Sequence, residues 1–299
     1  MPVKFATPSV NASSVSVNLT FQGSYVRCGF STGKGGPAAG GGRRDVVNEF
    51  SAAARRRLLA LFNRMDLRSV KAVFLTLTYG QEFPSPRDAK RHLRRFLERL
   101  RRRWPGCSAV WRLEFQERGA PHFHLVLFGL PYVPKEDMQA LWAECVPVSM
   151  WDHSGAELRY PFTRIEMIES KRRLLSYVSK YVAKGGKKAA GASDGDEVAG
   201  GFNLSAYLHA GQFVHPLTGE LCGSVGRWWG VFNADALPMA VATVVRVTGA
   251  LAAVYDFRRG ARHVWRGVAR RRYQGFSLFV GDAQRWWDYW LSCLFSPVG

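Results

Sequence analysis

Two strand-like runs closed by a short turn constrain this chain more than any other feature. Residues 111–117 and 122–128 are rich in aromatic and β-branched side chains, and Arg118-Gly119-Ala120-Pro121 lies between them. Glycine and proline punctuate a reversal there, so the two runs read as an antiparallel hairpin. Such a hairpin pairs residues whose numbers sum to about 236, which sets Glu114 opposite His122. His122-Phe123-His124 then places both imidazoles on one face and Phe123 on the other. Glu114 and Gln116 share the histidine face, whereas Glu117 has the opposite parity unless a bulge intervenes.

Around the hairpin the element types alternate. Residues 73–79 (VFLTLTY) read as a strand and residues 86–103 as a helix, with His92, Arg95, Arg99 and Arg102 along one side and Leu93, Phe96, Leu97 and Leu100 along another. Residues 135–145 read as a helix, 162–168 as a strand and 171–184 as a helix. The order β-α-β-β-α-β-α predicts an α+β fold, an antiparallel ferredoxin-like sheet with helices packed on it. Upstream, Ser51 is placed to cap a helix over residues 52–62.

Composition bounds the rest. Lys and Arg number 42 against 23 Asp and Glu, a formal charge of +19, and 32 of the 42 are arginine. Arginine's planar fork suits phosphate, so a polyanionic partner is the first expectation. The excess is spread along the chain, +7 over residues 1–70, +8 over 71–184 and +4 over 185–299. The first ten residues hold no apolar run, and the most apolar stretch, residues 238–254, is broken by Arg246 and Gly249. It reads as a buried helix, with no membrane partner expected. Five scattered cysteines without a C-x-x-C pair argue against a disulfide framework and fit reduced thiols in a cytoplasm. Gly33-Lys34 fails as a phosphate-binding loop because Gly35 follows where Ser or Thr is needed. By composition the chain divides into a flexible basic segment (1–45), a central domain (46–184), a linker (185–201) and a smaller, mostly helical accessory region (202–299).

Two clusters carry chemistry. Glu114, His122 and His124 form a mixed carboxylate–imidazole set with room for water and substrate oxygens, a donor set suited to Mn²⁺ or Mg²⁺ as well as Zn²⁺. In the helix over 171–184, Leu174, Leu175, Val178 and Val182 make an aliphatic face. Tyr177, Lys180, Tyr181 and Lys184 make a second one, with Tyr181 bordering the aliphatic side.

Together these motifs resemble the HUH endonucleases, specifically the rolling-circle replication initiators of single-stranded DNA phages and related plasmids. Phe74-Leu75-Thr76-Leu77-Thr78-Tyr79 is similar to the family's first motif, Gly119-Ala120-Pro121-His122-Phe123-His124-Leu125 to its metal motif, and Tyr177-Val178-Ser179-Lys180-Tyr181 to its two-tyrosine motif. Gly226-Arg227-Trp228-Trp229-Gly230 also resembles a segment of filamentous-phage initiators. The resemblance covers roughly residues 50–185. It implies an HUH/RRM-like sheet and an endonuclease that nicks and rejoins DNA through a 5′-phosphotyrosine. Glu114, His122 and His124 would hold Mn²⁺ or Mg²⁺, with Tyr177 and Tyr181 as nucleophiles and Lys180 supporting them. The implied partners are single-stranded or melted origin DNA and a host helicase and polymerase, in the cytoplasm of a bacterial host. A transposase or relaxase with the same chemistry is the rival enzyme, disfavoured because no helicase region fits in 299 residues. A non-catalytic RRM-like nucleic-acid-binding module is the rival of another class; simple binding needs neither the Glu/His set nor the tyrosine pair.

Overall fold

The structure, a computed structural model, describes residues 16–31, 50–66, 71–151, 163–168, 173–174, 178, 204–248, 276–279, 283 and 288. In chain order, β1 (Ser16–Gln22) and β2 (Tyr25–Ser31) form a hairpin, and α1 (Ala52–Asn63) follows. Ser51 caps α1, its Oγ accepting from the Ala54 amide at 3.2 Å. Then come β3 (Ala72–Leu77), α2 (Pro86–Arg103), β4 (Ser108–Phe115), β5 (Pro121–Phe128), α3 (Lys135–Ala143) and β6 (Thr163–Ile168). Two short strands, β7 (Leu208–His209) and β8 (Gln212–Phe213), precede β9 (Trp229–Phe232), β10 (Ala242–Thr248) and β11 (Phe276–Phe279).

The chain divides into two compact units that interleave in sequence: residues 1–44, 60–66 and 239–299 in one, and 45–59 and 67–238 in the other. The first unit carries a four-stranded antiparallel sheet ordered β10-β1-β2-β11. Leu19, Phe21, Val26 and Cys28 are buried in it. Its β1–β2 turn uses Gly23 at φ +58°, where a Cβ would stand 2.6 Å from the Asn63 carbonyl oxygen. Only a residue without a side chain fits that approach.

The second unit is built on a five-stranded antiparallel sheet ordered β6-β3-β5-β4-β9. Its first four strands have the ferredoxin-like order expected from the alternating pattern, with β9 added beside β4. Registered pairs put all odd-numbered residues of β3, β4 and β5 on one face and all even-numbered ones on the other. The odd face is the core. Leu75, Leu113, Phe123 and Leu125 pack there with Leu93, Phe96 and Leu100 of α2 and Met138 and Trp142 of α3. Burying each large apolar side chain stabilises the fold by about 1.5–3 kcal/mol. Trp142 is fully buried, and its indole N–H donates to the Thr78 carbonyl at 3.0 Å. α2 starts where the sequence places it: Ser85 caps it, accepting from the Asp88 amide at 3.2 Å, and Pro86 opens its first turn.

Four expectations change. Residues 16–31, inside the segment read as flexible, form a strand pair. Residues 238–254, read as a buried helix, contain β10, and the described residues of the region read as mostly helical carry strands β7 to β11. An apolar run with alternating β-branched side chains, Thr243 to Val247, satisfies either reading locally; pairing with β1 decides for the strand. His92, assigned to the arginine side of α2, is buried at 8% exposure, with Tyr79 Oη 3.2 Å from its Nδ1. Burial, then Arg95, pushes the His92 imidazole below its ordinary range, and burial holds the Tyr79 phenol protonated, so the phenol donates and the imidazole accepts. The glycine-rich tracts 33–42 and 185–201 lie outside the described residues.

Burial also pushes the Cys107 and Cys145 thiols up to about 12 and about 11, keeping them protonated. No helix among the described residues is long and apolar enough to cross a membrane. Lys90 of α2 donates to the Val225 carbonyl, tying the loop before β9 to the helix. Desolvation lowers its ammonium to about 8. A folded-state value below the unfolded one means that the unfolded chain binds more protons between pH 8 and 10.5, so this residue's penalty is full below pH 8 and is relieved above it. In urea unfolding, the stability difference between Lys90→Met and wild type should shift in favour of wild type by up to about 3 kcal/mol from pH 7 to pH 10.5.

Candidate active site

The β4–β5 hairpin has the register expected from the sequence: Glu114 pairs with His122 and Arg112 with His124. The turn closes with the Gly119 amide donating to the Gln116 carbonyl at 2.8 Å and the Gln116 amide to Ala120 at 3.0 Å; Gly119 sits at φ +83°. That is a three-residue loop with glycine in the left-handed position. Arg118 clamps the tip. Its guanidinium donates to the carbonyls of Tyr79, at 2.8 Å, and Gly80, and to Gln116 Oε1 at 3.0 Å, and lies over the Phe83 ring. The hairpin end is thereby fastened to the loop that follows β3.

On the even face the three candidate ligands are brought together in part. His124 Nε2 stands 2.7 Å from Glu114 Oε2, and the His122 and His124 ring centroids are 4.5 Å apart, edge to face. Thr76 of β3 lies directly opposite His124, with its Oγ1 3.3 Å from Nδ1. Phe74, two residues back on the same face, stacks on the imidazole at 5.7 Å. The ring is thus held from three sides: carboxylate, hydroxyl and aromatic face. Among the described residues no group of three or more His, Cys, Asp or Glu converges as a metal site; Glu114 and His124 meet, and His122 stands beside them.

Thr76 and Arg112 were not singled out from the sequence, and both bear on the site. Arg112 is 6% exposed; its Nη2 is 3.8 Å from Glu114 Oε1, and its guanidinium lies 4.7 Å over the Phe50 ring. Glu114 therefore turns one oxygen to a cation and the other to an imidazole. The signal was available, since Thr76 and Arg112 have the parity of His124, but only a known strand pairing converts parity into contact.

Tyr177, Lys180 and Tyr181 lie outside the described residues. Their neighbours Arg173, Leu174 and Val178 are helical, and Leu174 and Val178 are buried at 2% and 5% exposure, the side assigned to the core. Arg173 Nη2 pairs with Glu166 Oε1 at 2.5 Å. Glu166 lies opposite Phe74 on β6, so this pair ties the helical segment to the face that carries Glu114 and His124.

A comparison with known families addresses the same stretch. Residues 72–186 match the family model of the replication-associated protein ORF2/G2P. The matched stretch opens at β3 and contains Glu114, His122, His124, Tyr177, Lys180 and Tyr181. It supports a replication-initiator role. No curated protein and no solved structure matches the chain. The Gly226–Gly230 motif lies outside the matched residues; it leads into β9, where a Cβ on Gly230 would stand 2.7 Å from the Trp111 ring.

The contacts of Glu114 carry a stability test that needs no added metal. Glu114→Ala removes the acceptor of charge-assisted contacts to His124 and Arg112, and should cost about 1–3 kcal/mol in urea unfolding in the presence of EDTA. An unchanged midpoint would show that the pair contributes nothing to the fold.

Proposed function

We propose that this chain is a replication initiator that nicks and rejoins one DNA strand at a rolling-circle origin by divalent-metal-dependent transesterification. The observation that carries the reading is the His124 imidazole, set between Glu114 and Thr76, inside the stretch that matches a replication-associated family. The donor set fits a hard or borderline cation. Carboxylate oxygen and imidazole nitrogen are donors that suit Mn²⁺ or Mg²⁺, and Glu114 Oε2 and His124 Nε2 converge to 2.7 Å. Glu114, His124 and the adjacent His122 would hold Mn²⁺ or Mg²⁺. Bound there, the ion would polarise the scissile phosphate and offset its charge.

The protein's own groups do the remainder. In the tautomer with the proton on Nε2, His124 donates to the Glu114 carboxylate and its Nδ1 accepts from the Thr76 hydroxyl. Were Nε2 to hold the ion, the ring's single proton would sit on Nδ1 and donate to Thr76 Oγ1 instead. A hydroxyl that can both accept and donate suits either state, and it fixes the ring plane throughout. The Tyr177 oxygen attacks the phosphorus, and the bond to the 3′ oxygen breaks. That oxygen takes up a proton, leaving a free 3′-hydroxyl for a host polymerase, while the 5′ phosphate stays esterified to the tyrosine. Lys180, three residues on, supplies positive charge for the phosphate or for the phenolate. Tyr181 provides a second nucleophile, so a second cleavage can precede resolution of the first link and release a unit-length circle. Single-stranded or helicase-melted origin DNA in a bacterial cytoplasm is the substrate.

Two sets of measurements test this. His122→Ala with His124→Ala should abolish cleavage of single-stranded origin oligonucleotide while most DNA binding survives, and Thr76→Val should weaken Mn²⁺ binding by about 10–100-fold in titration calorimetry. Full cleavage by the double variant in EDTA would overturn metal dependence.

The second measurement maps the covalent adduct after incubation with labelled oligonucleotide and Mn²⁺. Tyr177→Phe should remove the first adduct, whereas Tyr181→Phe should still nick but impair circle release. A first adduct on Tyr181 reverses the order of use, and no adduct on either leaves a binding module.

A further inference from the structure

The layer opposite the candidate active site carries the most concentrated charge among the described residues. α2 holds eight arginines and Lys90 against two acids, Asp88 and Glu98. At 100° per residue, Arg87, Arg91, Arg94, Arg95, Arg101 and Arg102 fall within an arc of about 120° and run for about 22 Å along the axis. All six are exposed. Leu93, Phe96, Leu97 and Leu100 occupy the opposite side and pack on the odd face of the sheet. The stripe therefore points away from the face that holds Glu114, His122 and His124.

Local ion pairs do not cancel it. Asp88 meets Arg91 at 2.5 Å and Glu98 meets Arg94 at 2.8 Å, two acids against six arginines. Glu98's carboxyl is held below the usual range by its hydrogen bond from Arg94, with the charges of Arg94, Arg102 and Arg101 adding to the effect.

We propose that this stripe binds the phosphate backbone of duplex DNA, so that a double-stranded flank is held on the helix layer while the strand to be cut lies on the opposite face. The partner is argued from three features. A duplex carries one phosphate per about 1.7 Å of its axis with both strands counted, and the stripe offers six guanidinium groups to that dense array. Sites for single strands interleave exposed aromatic side chains with the basic ones, whereas the one Phe, Tyr or Trp of α2, Phe96, is buried on the core side and the ring beside the arc, Phe232, is half-buried under Arg101. An α-helix with a charged outer face is also rigid, so its side chains lose little backbone freedom on binding. The proposal rests on the initiator reading for its choice of polyanion.

The test uses the full chain with the Arg87→Gln/Arg95→Gln/Arg102→Gln variant. Anisotropy measures its binding to a short labelled duplex, and to the single strand of the same sequence, across a series of KCl concentrations. For the duplex, the slope of log K against log[salt] should become shallower by about 2.7, at about 0.9 per lost phosphate contact. For the single strand it should change by less than about 1, and adduct formation on single-stranded oligonucleotide should be unchanged. The matching Arg→Lys triple variant, which keeps the charge, should retain the wild-type slope. If the glutamine triple loses helical circular dichroism, the three single variants carry the test, each expected to lose about 0.9. An unchanged duplex slope overturns the proposal and leaves an acidic protein as the occupant. Equal losses on both DNAs overturn the assignment to duplex. A wild-type chain that binds neither DNA would instead overturn the initiator reading itself.

Discussion

Much of this structure depends on the register of one hairpin. Side chains alternate with a period of two along a strand, so slipping β5 by one residue against β4 would send both histidines into the core and Phe123 to the polar face. Such a slip would also set the indole of Trp142 and the ring of Phe96 against imidazoles. The hydrophobic cost locks the register, and the locked register places Glu114 beside His124. Arg118 at the turn and Gly119 in the left-handed position hold the same register from the hairpin end, through backbone carbonyls of the loop after β3.

A single polar chain follows from that constraint: Arg112, Glu114, His124 and Thr76, across three adjacent strands. Arg112 is nearly buried, so its desolvation must be offset, and the Glu114 carboxylate and the Phe50 ring both contribute. The same carboxylate orients an imidazole whose other nitrogen meets a hydroxyl. Each member therefore restrains the next, and the His124 ring is held in one plane by its neighbours.

The two faces of the sheet divide the work. One carries the ionisable cluster and, paired with Glu166, the helical residue Arg173. The other carries α2 and α3 on an apolar core, with the arginine stripe as its outer surface. The ionisable cluster and the arginine stripe thereby lie on opposite layers, so the stripe's charges are kept apart from Arg112 and the two histidines.

The sequence by itself determined the elements from 52 to 168 to within a few residues, the pairing of Glu114 with His122, and the shared face of the two histidines. Those follow from local signals: capping serines, a glycine–proline turn and periods of 2 and 3.6. Burial of Leu174 and Val178 was legible for the same reason. It did not determine that residues 16–31 and 242–248 pair as strands, because two segments more than 200 residues apart share no local signal. Nor did it pick out Thr76, Arg112 or Glu166, ordinary residues until strand order is known. Helical periodicity set His92 among the arginines, yet it is buried against Tyr79. Only the tertiary structure decided these, since contact between distant segments depends on strand order and packing, which no window of sequence contains.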